Sequence, residues 1–272
     1  MRSWKFIVAA STAMTVVSSC GTEPAEHNNL TRFGLVCPVR EIVVRSASPL
    51  DFNSNYDAEF NRRGQCTLLR YTDPEGNTEC GERYVYSKDG TTATMTAFDK
   101  NNEDSGRFEY EFDGRFIRKY TVYNLNSQEV QRWENENDGK HIVETRFYQE
   151  CDLENVTRNT FTGDDFVQVL LDSGLDTIAV GRGGMNHAGK LLYGKSEGLD
   201  ISLEYDVRNL PVSSYNTLVD TKENLFWHEK VDGTTARYEY EYDHKGNWIR
   251  RATFFGQESE PGEIITRKIR YY

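Results

Sequence analysis

Residues 237–251 read RYEYEYDHKGNWIRR, and the strict alternation of ring and acid over residues 238–243 leaves the backbone little choice. In an extended strand successive side chains point to opposite faces. Tyr238, Tyr240 and Tyr242 therefore share one face, and Glu239, Glu241 and Asp243 the other. One face packs and the other is wetted. Each large side chain fully buried contributes about 1.5–3 kcal/mol, so three rings fix the register of the strand. Asp243 to Asn247 then supplies a turn, since Gly246 and Asn247 tolerate positive φ, and WIRRATFF resumes as the returning strand.

The same pattern stands earlier in RFEYEFDGRFIRKYTVYN, where Phe108, Tyr110 and Phe112 alternate with Glu109, Glu111 and Asp113. Asp113-Gly114 is a strong hairpin signal there. Looser copies read AEFNRRGQCTLLRYTD, ERYVYSKDGTTATMTAFD and LEYDVRNLPVSSYNTLVD. A repeated hairpin is thus the unit of the chain.

YEYDHKGNWIRR, with YEFDGRFIRK and LEYDVRNLP behind it, resembles the YD repeat of RHS-type proteins, Tyr-x-Tyr-Asp-x-x-Gly-Asn. More narrowly it is similar to the RHS-repeat-like lipoproteins of Bacteroidetes, which often close on a strand such as GEIITRKIRYY. The resemblance implies a mainly β fold, an antiparallel β-meander forming a curved sheet, and no shared catalytic residues. The copies are scattered over residues 58–272, and only 240–248 is close to the consensus. The shortened turns elsewhere favour a short irregular sheet over a regular shell.

One stretch breaks the pattern. In NTFTGDDFVQVLLDSGLD, Thr162 is a reasonable N-cap, Asp164 and Asp165 suit the positive end of a helix dipole, and Phe166, Val169 and Leu170 share a helical face. With Gly174 to end it, the spacing predicts one short helix over 163–173. The expected architecture is a first strand at REIVVRS, hairpins over 58–150, the helix, and hairpins over 176–272, all in a single domain from 37 to 272.

The first residues, MRSWKFIVAASTAMTVVSSCG, place Arg2 and Lys5 before an apolar run too short to stay in a bilayer, which reads as a signal peptide over 1–19. VSSC resembles the bacterial lipoprotein signal, which implies that Cys20 becomes the first mature residue and carries the lipid. Gly21 after it, in place of Asp, resembles lipoproteins sent to the outer membrane, and Glu23 and Glu26 resemble the acidic tether of surface-displayed ones. Residues 20–36 read as a flexible tether. The membrane is thus one expected partner, through acyl chains contributing about 0.8 kcal/mol per buried methylene.

Removing the signal also removes the charges of Arg2 and Lys5, taking the formal charge from −11 to −13. Nucleic acid, which needs clustered Lys and Arg, is therefore not an expected partner. Cys37, Cys66, Cys80 and Cys151 allow two disulfides in an oxidising compartment, with three connectivities, or four thiols.

Chemistry is harder to find. Glu239 and Glu241 project side by side from one strand face, about 7 Å apart at Cα, and suit a solvated face neutralised by bases such as Lys119 or Arg250 better than a glycosidase pair. His27, His141, His187, His228 and His244 form no metal-binding spacing. GRGGMNHAGK over 181–190 lacks the ending and helix of a phosphate loop, and DKNNEDSG from Asp99 has Tyr110 where a calcium loop needs Glu. No catalytic residue, metal or cofactor is expected. Thr177, in Asp-Thr-Ile, fits a short O-glycosylation pattern of Bacteroidetes secreted proteins. Trp133, Trp227 and Trp248 suit the sheet core, while Trp227 and Trp248 are also the aromatics that would hold a sugar ring. Two functions follow: a non-enzymatic, lipid-anchored envelope scaffold presenting a β-surface to another envelope macromolecule, or a glycan-binding or glycan-processing lipoprotein.

Overall fold

The hairpin grammar is realised throughout the described residues. The computed structural model describes residues 30, 33–47, 55–114, 116–186, 191–196, 199–205, 211–218 and 234–272. Strands β1 (Val39–Ser46), β2 (Tyr56–Phe60), β3 (Cys66–Thr72), β4 (Thr78–Tyr86), β5 (Thr92–Asp99) and β6 (Asp104–Asp113) open the chain. They are followed by β7 (Phe116–Tyr123), β8 (Glu129–Asn137), β9 (Ile142–Gln149), β10 (Asp152–Thr162), β11 (Asp165–Asp172) and β12 (Thr177–Met185). The last are β13 (Leu191–Ser196), β14 (Leu199–Tyr205), β15 (Pro211–Leu218), β16 (Thr234–Tyr242), β17 (Trp248–Phe255) and β18 (Glu263–Tyr271).

Each strand pairs antiparallel with the next in sequence. The expected β-meander is therefore the fold. β1 pairs on both sides, Ile42 standing opposite Ala58 of β2 and Ile269 of β18. The meander thus closes into a ring, which leaves neither terminal strand as an edge.

Among the described residues six hairpins share one turn, beginning at Asn61, Asp73, Asp99, Asn124, Asp172 and Asp243. In each, the side-chain oxygen of that residue accepts the backbone N–H four positions on, at 2.7–3.1 Å. The residue three positions on takes positive φ: Gly64, Gly76, Asn102, Ser127, Leu175 and Gly246. This is a type I turn closed by a left-handed residue, with the bulge that accompanies it. The Asp-x-x-Gly-Asn phrase is thus a turn, and the candidate calcium loop at Asp99 is one of its copies.

Leu175 holds the left-handed position at φ 69 and is 51% exposed. A branched side chain there costs about 1–2 kcal/mol, only partly offset by the extra chain entropy of glycine. Leu175→Gly is expected to raise stability by about 0.5–1 kcal/mol, read as a higher urea midpoint at unchanged slope.

The helix predicted over 163–173 is absent. Those residues are the turn between β10 and β11, the whole of β11 and the first residue after it, with Thr162 paired to Asp165. Gly163, at φ 65, is the first of two central turn residues, the position that a type II′ hairpin gives to glycine. Asp164 completes the turn, so the paired acids that suggested a helix start are a hairpin tip. Extended, the segment buries Phe166 on one face and Leu171 on the other. Phe166 lies over Gly183 of β12, where a Cβ would come within 2.5 Å of its ring. Phe98 covers Gly81 in the same way, at 2.3 Å.

Register sorts the side chains into an aromatic face and a charged face. On the first, Tyr86, Ala93, Tyr110, Tyr120, Trp133 and Phe147 stand opposite one another in a single row from β4 to β9. On the second, Glu111, Lys119, Glu134 and Arg146 form a row of alternating sign across β6 to β9. The tightest packing lies where the ring closes. There Ile42, Val44, Ala58, Leu69, Trp248 and Ile265 cluster with Leu30 and Leu35 from the segment before β1.

Candidate functional site

The most elaborate polar arrangement among the described residues grows out of the turn at 243–247. Asp243 accepts N–H bonds from Lys245 at 2.9 Å and Asn247 at 3.0 Å. This holds the Asn247 side chain inward, where it is 0% exposed. Its Oδ1 accepts the Val36 N–H at 2.9 Å, and its Nδ2 donates to the Tyr271 hydroxyl at 2.9 Å and lies 3.3 Å from Cys37 Sγ. Tyr271 in turn donates to Asp243. One turn residue thereby ties the segment before β1 to the last strand.

Beside it stands a buried cation. The Arg267 guanidinium lies 3.3 Å from the centre of the Trp248 ring and donates to the Phe33 carbonyl at 2.7 Å. Among the described residues it makes no ion pair, and its Nε has no hydrogen-bond partner. Burial pushes its pKa down to about 10, against the upward pull of Tyr56. Cation–π attraction and a carbonyl therefore stand in for a carboxylate. Arg251, nearby on β17, is paired with Glu263 at 3.0 Å.

Two tyrosines are displaced in the opposite sense. Burial, then the hydrogen bond to Asp243, raises Tyr271 to about 12; burial, then the charge of Glu82, raises Tyr120 to about 12. Because the folded values exceed the ordinary 10, the unfolded chain loses these protons first as pH rises. Their contribution to stability is complete below pH 10 and is lost between pH 10 and about 12. Tyrosinate absorbance under native conditions is expected to show a late component near pH 12, which moves down toward 10 in denaturant.

The charged face offers a cleft of about 350 Å³ between Arg118, Lys119, Glu134, Glu136 and Arg146. Its charges are already matched. Arg146 reaches Glu136 at 3.3 Å and Glu144 at 2.6 Å, and Arg158 holds the other oxygen of Glu144 at 2.8 Å. The hydrogen bond from Arg158, reinforced by Arg146, holds the Glu144 carboxyl below its usual range despite burial. Such a carboxylate stays ionised and is a poor proton donor.

The residues singled out from the sequence are dispersed. Glu241 pairs with Arg250 at 3.1 Å and Glu239 with Arg237, while Lys119 lies on β7 beside Glu111. His141 stacks on Phe161 and His244 meets Tyr271 edge-on. No group of three candidate metal ligands occurs among the described residues. Cys37, Cys66, Cys80 and Cys151 form no disulfide with one another, and Cys151 is exposed. Thr177 is exposed at the start of β12. Cys20, Trp227, His27, His187 and His228 lie outside the described residues.

Trp248 is 5% exposed beneath Arg267. Trp133 stacks on Tyr120 on one side, at 4.8 Å, and packs against Phe147 on the other, also at 4.8 Å. Both tryptophans thus spend their ring faces on the protein itself. Sequence reasoning missed Arg267 and Asn247. The only signal of Asn247 is its place in the turn phrase, and Arg267 reads as one more base in an alternating strand.

No family model and no curated protein matches the sequence. Among solved structures, the chain is similar to a porin-like protein from Bacteroides uniformis, with 9% identity, TM-score 0.44, and coverage of 85% of this chain and 96% of that one. A porin-like protein from Bacteroides vulgatus gives 10% identity, TM-score 0.43, and coverage of 85% and 98%.

Proposed function

We propose that the chain is a lipid-anchored, non-enzymatic envelope protein of the YD-repeat type, held to its membrane through Cys20 and offering a charged β-surface to another envelope macromolecule. The observation that carries this reading is the matched charged face. Its acids are engaged by cross-strand or same-strand bases across β6 to β10, an arrangement that suits a rigid, solvated contact surface better than proton transfer.

The side-chain distribution also supports a ring standing in water. A strand spanning lipid needs one apolar face, and a base at mid-bilayer costs about 2–4 kcal/mol. Here one face carries the Glu–Lys–Glu–Arg row, and the other carries Glu82, Gln131, Asn155 and Gln168 among its rings. The glycan reading has less support at Trp248, which presents no open ring face, and its other aromatic, Trp227, lies outside the described residues.

Cys20→Ala is the direct test. The wild-type chain is expected in the membrane fraction, released by detergent and not by salt, and the variant in the soluble fraction. A variant that stays with the membrane would defeat the anchor. A glycan array probed with residues 21–272 gives the second reading its chance.

A further inference from the structure

We propose that the anchored chain stands on its membrane on the end of the ring that carries turns 61–65, 87–91 and 243–247, with the opposite, acidic end held away from the headgroups. This rests on the lipid anchor at Cys20.

The first observation is where the chain joins the ring. The Leu35 N–H donates to the Leu30 carbonyl at 2.9 Å, and Val36 donates to Asn247 at 2.9 Å. Leu30 and Leu35 are therefore held together, and Leu30 is returned close to the 243–247 turn. Ten residue steps separate Cys20 from Leu30. Whatever path they take, they reach no more than about 35 Å. A nine-residue strand such as β4 spans about 30 Å. Setting the far end of the ring against the membrane would consume nearly the whole reach of the connection, whereas the near end requires no extension.

The second observation is charge, and it is independent of the first. Because the strands are antiparallel, successive connections alternate between the two ends of the ring. At the far end, 73–77, 150–151, 173–176 and 256–262 contain acids and no base, and 100–103 sets Lys100 against Glu103. The near end carries Arg62 and Arg63 in 61–65, Lys88 in 87–91, Lys140 in 138–141 and Lys245 in 243–247, set against Asp89, Asp138, Asp164 and Asp243. An anionic headgroup layer repels the first set and tolerates the second. At about 30 Å the acids of the far end stand several screening lengths of about 8 Å from the surface.

The two ends can be read by thiol labels. Cys151 is exposed in the β9–β10 connection at the far end, and Lys88 is exposed in the β4–β5 connection at the near end. Lipidated full-length chain is placed on phosphatidylcholine vesicles doped with phosphatidylglycerol and a headgroup-nitroxide lipid. One sample carries the label at Cys151, the other at Lys88→Cys in a Cys151→Ser background. The Lys88→Cys label is expected to be quenched severalfold more than the Cys151 label. Equal quenching, or stronger quenching at Cys151, on chains that float with the vesicles would overturn the orientation and leave the anchor standing. Chains that do not float at all would overturn both.

Discussion

Replacing Trp248 with alanine is expected to cost about 3–5 kcal/mol, the range for emptying a large aromatic site in a packed core. Trp248 is 5% exposed and shares a cluster with Leu35, Ile42, Phe60 and Ile265. Its ring also faces the guanidinium of Arg267 at 3.3 Å, and Arg267 makes no ion pair among the described residues to fall back on. The truncation therefore leaves a cavity and strips a buried cation of its main partner, two penalties that add. Urea denaturation measures the loss, and Trp248→Phe, which keeps a ring, is expected to recover most of it. A loss below about 1 kcal/mol would mean that the ring is not packed, and would reopen Trp248 as a ligand-binding residue.

Asn247→Ala is expected to cost about 2–3 kcal/mol, more than an ordinary hydrogen bond, because the amide is fully buried and the groups it satisfies stay buried without it. Val36 N–H loses its acceptor and the Tyr271 hydroxyl loses a donor. The damage is local before it is global. Amide exchange at Val36 is expected to accelerate under conditions where exchange in β5–β9 does not, since those strands share no bond with Asn247. Uniform acceleration across both regions would show that the segment before β1 has no separate hold on the ring.

Much of this fold was legible because it is written in a two-residue period. The alternation at 238–243 and 107–113 becomes β16 and β6, and the turn phrase at 243–247 takes the expected positive φ at Gly246. The helix over 163–173 failed for a specific reason. Thr-Gly-Asp-Asp suits a helix start and a two-residue hairpin equally, and only the long-range partner strand, with Gly183 beneath Phe166, decides between them. Closure of the ring was not legible, since the pairing of Ile42 with Ile269 joins positions more than two hundred residues apart. The Arg267 site was hidden for a related reason. Its acceptor, Phe33, and its π partner, Trp248, lie on elements remote from β18 in sequence, and nothing in IITRKIRYY marks that base as buried.

The pairing of the first strand with the last also sets a timetable. A chain emerging from a ribosome or through a translocation channel can form its hairpins one after another, each from neighbours already delivered. It cannot seal the seam between β1 and β17 until β18 has arrived. Until then two raw strand edges wait for any partner that fits, and a product that stops early keeps both. The nascent protein is thus most exposed to mispairing until β18 is delivered, and the arrival of that strand ends the risk.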